Sequence, residues 1–73
     1  MPGLVIKDVE LLRILTKKFG FLVLRQKGSH VRLSNGVRRV TIPIHNRELK
    51  QGTLNSILVQ VGLTREDILK AGR

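Results

Sequence analysis

At 73 residues the chain has apolar surface for one small domain, spanning residues 1–73, and a multidomain enzyme is excluded. It is 41% hydrophobic with no cysteine, so the sequence predicts a folded chain without disulfides, thiolate-bound zinc or thiol redox chemistry. Fourteen Lys and Arg against five Asp and Glu give a formal net charge of +9, which points to a polyanionic partner.

In chain order, Met1 to Ile6 is short and apolar with no basic leader. The expectation is a cytoplasmic chain with neither secretion signal nor membrane span. A first helix follows, with Asp8 as N-cap, an apolar stripe of Leu11, Leu12, Leu15 and Phe19, and Gly20 as its stop.

From Phe21 the apolar period changes to two, and glycine-containing turns divide the segment into three strands, Phe21 to Lys27, His30 to Ser34 and Val37 to Pro43. Asn35-Gly36 reads as a two-residue hairpin turn. That turn sets Ser34 opposite Val37, Arg32 opposite Arg39 and His30 opposite Thr41. One sheet face then carries His30, Arg32, Arg39 and Thr41, and the other carries Val31, Leu33, Val40 and Ile42, with Arg38 at its margin. A tight turn at Gly28-Ser29 would add Lys27 opposite His30 and Arg25 opposite Arg32, and would send Leu22 and Leu24 to the buried side.

Beyond Pro43 lies a polar stretch containing His45. Leu54, Ile57, Leu58 and Val61 then form a second amphipathic helix, with Thr53 as N-cap and Gly62 as its stop. Thr64 and Asp67 have the spacing of a capping box that opens a short third helix. The order is α-β-β-β-α, an α+β fold with a three-stranded antiparallel sheet and helices on one face.

The charge distribution narrows the chemistry. Between Glu10 and Glu48 there is no acid, while Arg13, Lys17, Lys18, Arg25, Lys27, Arg32, Arg38, Arg39 and Arg47 all fall there. A two-metal nuclease needs clustered carboxylates, and these five acids lie towards the two ends of the chain. His30 and His45 alone do not make a zinc site, so no metal and no other cofactor is expected. Two phenylalanines, without Trp or Tyr, offer no platform for stacking bases. What remains is metal-free phosphoryl transfer, in which a histidine accepts the proton of an RNA 2′-hydroxyl and cations stabilise the charge that develops on phosphorus-bound oxygens. His30 with Arg25, Lys27, Arg32 and Arg39 supplies those parts. A surface histidine on a strand without catalysis fits the same pattern.

Gly20-Phe21, Arg25-Gln26-Lys27-Gly28-Ser29-His30, Pro43-Ile44-His45, Gly52-Thr53-Leu54 and Gly62-Leu63-Thr64, in this order, resemble the HicA family of toxin ribonucleases over about Lys7 to Leu69. The resemblance implies a fold similar to a double-stranded-RNA-binding domain, cleavage of messenger RNA, and restraint by a HicB-like antitoxin protein. It also implies that the histidine of Gly-Ser-His, His30, is catalytic. His45 matches the histidine after Pro-x, a structural or substrate-positioning residue. Gly28 and Ser29 suit a tight turn and are placed to meet an RNA backbone. Two other readings draw on the same cations: a non-catalytic RNA-binding module, and an interaction domain for an acidic protein.

Overall fold

The computed structural model describes residues 4–72; Met1, Pro2, Gly3 and Arg73 lie outside the described residues, so the apolar N-terminal stretch is seen only from Leu4. The elements are α1 (Asp8–Lys18), β1 (Leu22–Lys27), β2 (His30–Ser34), β3 (Arg39–Pro43), α2 (Gln51–Val61) and α3 (Arg65–Ala71). The strands form one antiparallel sheet in the order β1-β2-β3, as the sequence pattern predicts.

Alternation builds the core. Val31 and Leu33 of β2 and Val40 and Ile42 of β3 are buried, while His30, Arg32, Arg39 and Thr41 between them are exposed. Leu11, Ile14 and Leu15 of α1, Leu54, Ile57, Leu58 and Val61 of α2, Ile68 of α3 and Phe21 complete the cluster. The stripe of α1 therefore runs through Ile14; Leu12 and Phe19 are only partly buried at its margin. No helix among the described residues is long and apolar enough to cross a membrane.

The β1–β2 turn follows expectation, with Lys27 opposite His30 and Arg25 opposite Arg32. Beyond Arg25 a bulge at Leu24 breaks the register, and Val23, not Leu24, lies opposite Leu33. Leu22 and Leu24 do not join the buried face. Every residue of β1 is exposed, because the helical layer packs on β3 and stops short of this outer strand.

The β2–β3 hairpin corrects the predicted register. Ser34 pairs with Arg39, Arg32 with Thr41 and His30 with Pro43, so the connection is a four-residue loop, Asn35–Arg38. Asn35 does not adopt the positive φ that a two-residue turn would require. Its side-chain oxygen accepts the amides of Val37 (3.0 Å) and Arg38 (2.7 Å), and Ser34 Oγ accepts that of Gly36 (3.0 Å). These local bonds stabilise the wider loop. A shift of two residues preserves which side chains share a face, so the predicted open face survives. Arg38 leaves the sheet altogether. Its guanidinium lies over Gly62 and donates to the Gln60 carbonyl (3.4 Å) at the end of α2.

Two helix starts also differ. Asp8 is the first residue of α1 and not its cap, which is Lys7. Likewise α2 begins at Gln51 after Lys50, two residues before Thr53. The reason is shared: the chain entering α1 pairs with the chain entering α2 through an isolated antiparallel bridge, Lys7 to Glu48. The Leu49 amide donates to the Ile6 carbonyl (2.9 Å) and the Asp8 amide to that of Arg47 (3.0 Å). That bridge fixes both entry points ahead of any side-chain cap. The Thr64–Asp67 capping box forms as predicted, with reciprocal bonds of 3.1 and 2.9 Å.

Candidate active site

The two-residue Gly28-Ser29 turn determines one end of the open sheet face. Gly28 takes φ +59°, a conformation that L side chains rarely adopt, and with no Cβ neighbour nearby the backbone there is open to solvent. The tight turn forces Lys27 and His30 into direct opposition. Period two then places Arg25 and Arg32, again opposed, one pair further along, with Thr41 beyond Arg32 on β3.

These residues line an open groove of about 690 Å³: Arg25, Lys27, Gly28, Ser29, His30, Arg32 and Thr41. All but Thr41 are residues that the sequence singles out. Thr41 is predicted on this face without a role, opposite His30, with Arg39 opposite Arg32. The observed register moves both by two residues, so Thr41 stands opposite Arg32. Arg39 shares the open face but stands opposite Ser34, four residues from His30 along the ladder, or about 13 Å, and does not line the groove.

His45 is exposed just past β3 and does not line the groove either. Its segment is nevertheless tied to the turn, since the Ile44 amide donates to the Ser29 carbonyl (2.6 Å) and adds one rung beyond the His30–Pro43 pair. The loop after it is built around Asp8, the buried charged residue of the core (1% exposed). The carboxylate accepts the amides of His45 (2.6 Å) and Val9 (2.7 Å). Sequence reading gave Asp8 a capping role within α1. Its contact with a loop 37 residues away has no local signature.

The electrostatics are one-sided. The ion pairs among the described residues, Arg13–Glu10 and Lys70–Glu66, both lie along helices. Asp67 is engaged in its capping box and Asp8 in the His45 loop. No carboxylate among the described residues bonds to Arg25, Lys27 or Arg32. No three His, Cys, Asp or Glu side chains among the described residues cluster to hold a metal ion. The groove therefore offers one imidazole, three cations, two hydroxyls and an exposed turn backbone. That set can bind a phosphodiester through its cations and hydrogen-bond donors.

A family model described as the HicA toxin of bacterial toxin-antitoxin matches residues 10–63, a span that contains every residue lining the groove. No curated protein gives a match to the chain.

Proposed function

The chain belongs to the HicA toxin family, and on that premise we propose that this toxin is an endoribonuclease that cleaves messenger RNA at His30 without a metal ion. The observation that carries the reading is a single exposed imidazole, His30, with Lys27 opposite it and Arg25 and Arg32 one pair further along the same face. An RNA strand lies along the groove with its phosphates against these cations. The His30 imidazole accepts the proton of a 2′-hydroxyl as that oxygen bonds to the adjacent phosphorus. The bond from phosphorus to the 5′-oxygen breaks, and the departing oxygen takes up a proton. The positive charge of Arg25, Lys27 and Arg32 stabilises the phosphoryl oxygens as negative charge builds on them.

The supporting residues have distinct parts. Gly28 allows the RNA backbone close approach, the Ser29 and Thr41 hydroxyls supply hydrogen bonds, and His45 positions substrate at the end of the groove. Arg39 shares the open face but lies beyond the groove and makes no phosphate contact in this reading. The reading takes residues 1–73 as one domain acting in the cytoplasm, with a HicB-like antitoxin as its restraining partner.

The test is cleavage of a single-stranded RNA by purified protein in excess EDTA. Cleavage should persist, leave 2′,3′-cyclic or 3′-phosphate and 5′-hydroxyl ends, and spare DNA. Products with 5′-phosphates, or loss of activity in EDTA, overturn the mechanism. RNA bound at the groove but left uncut favours the non-catalytic module.

A further inference from the structure

The outer strand of the sheet departs from the composition of the rest of the surface. Leu22, Val23 and Leu24 of β1 are 69%, 51% and 55% exposed, three consecutive apolar side chains in water. They stand on a strand with one neighbour, β2, and no backbone hydrogen bond to any other element among the described residues. Soluble proteins usually protect such an edge with charge, because unpaired strand groups beside apolar side chains template association. The second half of β1 follows that rule with Arg25 and Lys27. The first half does not.

RNA does not account for the patch. Phosphates, sugars and base edges are recognised by cations and hydrogen bonds, and bases stack on aromatic rings. Phe21 is buried and Phe19 packs against the core, so neither presents a ring beside Leu22. A protein surface, in contrast, gains from covering aliphatic side chains. Leu22 lies opposite Ser34, on the face that carries Arg32 and His30, so one continuous surface runs from the apolar edge to the groove. With the chain at net +9, a partner that covers this surface needs to be acidic.

We propose that Leu22–Leu24 is the apolar anchor for the antitoxin. An acidic antitoxin seats an apolar segment against the outer edge of β1 and extends its carboxylates over Arg25, Lys27 and Arg32. Charge then governs how fast the two meet, and the anchor governs how slowly they part. This rests on the toxin-antitoxin pairing that the proposed function assumes, and it separates restraint from catalysis, since the anchor lies outside the groove.

The experiment uses the full chain and an acidic HicB-like antitoxin that binds it. Leu22→Gln with Leu24→Gln removes the two leucines of the anchor, leaving Val23, without altering net charge. The double variant should bind the antitoxin about a hundred-fold more weakly, mostly through faster dissociation, and should cleave RNA within about two-fold of the unaltered chain. Leu22→Gln alone, two residues before the bulge, should lose affinity in the same direction with an unchanged melting temperature. A loss below about three-fold in the double variant overturns the proposal. So does a free chain that self-associates through this edge, shown by a concentration-dependent dimer that Leu22→Gln abolishes. If the unaltered chain cuts no RNA while the variants still lose the antitoxin, the anchor stands and the nuclease reading falls.

Discussion

The Asp8 carboxylate and the His45 amide meet at 2.6 Å, joining the first turn of α1 to the loop that leaves the sheet at the His30 end. Burial alone would raise this carboxyl's pKa. The amides of His45, Val9, Arg47 and Asn46 outweigh burial and hold it below its ordinary value of 3.8.

Removing those acceptors leaves buried amides unpaired, so Asp8→Ala should destabilise the fold by about 2–4 kcal/mol. Asp8→Asn should cost less. The pH dependence follows from the lowered pKa: the ionised form favours the native state, so its contribution is complete above the ordinary carboxyl range and is lost as pH falls through the lower native value. Urea midpoints measured from pH 2 to 6 should show an acid limb that Asp8→Asn flattens. An unaltered midpoint in Asp8→Ala would show that the contact contributes nothing.

His30→Ala should reduce RNA cleavage by about 10² to 10⁴, the usual worth of a general base. The side chain is exposed on a strand, so the melting temperature should hold. Full activity in a folded variant would remove His30 from the mechanism. Collapse of the fold would assign it a structural part.

Salt should discriminate among the cations. With Arg25, Lys27 and Arg32 on phosphates of a single strand, affinity should fall roughly twenty-fold between about 50 and 200 mM salt. Arg32→Ala should reduce the slope by about 0.7. Arg39→Ala should leave it nearly unchanged, since the observed register puts Arg39 beyond the groove. Equal effects from the two arginines would favour the register first expected.

Gly62 ends α2 at φ +72°, and a Cβ there would meet Arg38 Cζ and Nε at 2.7 Å. Gly62→Ala should cost about 1–2 kcal/mol from backbone strain. The Arg38 guanidinium is the mobile end of a long side chain and can swing aside. A double-mutant cycle with Arg38→Ala should therefore recover only a minor part of that loss.

What the sequence made legible was local or periodic. Period two identified β2 and β3 and their faces, and the faces survived because the register error was an even number of residues. The register itself was misread at Asn35, whose side chain bonds to the Val37 and Arg38 amides and stabilises a loop that competes with the tight turn. A period of two carried back from the Gly28-Ser29 turn puts Leu22 and Leu24 on the inward face, and the bulge breaks that period. Nothing local signals that the helical cover ends before β1 or that a bulge intervenes. Asp8 and His45 are 37 residues apart, and the antiparallel pairing around Lys7 and Glu48 brings their segments together.

Arg25 and Arg32 stand directly opposed across the β1–β2 ladder. Like charges in opposed positions work against the pairing that brings them together, so the unoccupied face is held under electrostatic tension. Any polyanion that settles between them relieves it, and binding to the native state alone adds to stability by mass action. A polyanion bound across Arg25 and Arg32 should therefore raise the melting temperature of the chain, and added salt, by screening the pair, should shrink that gain.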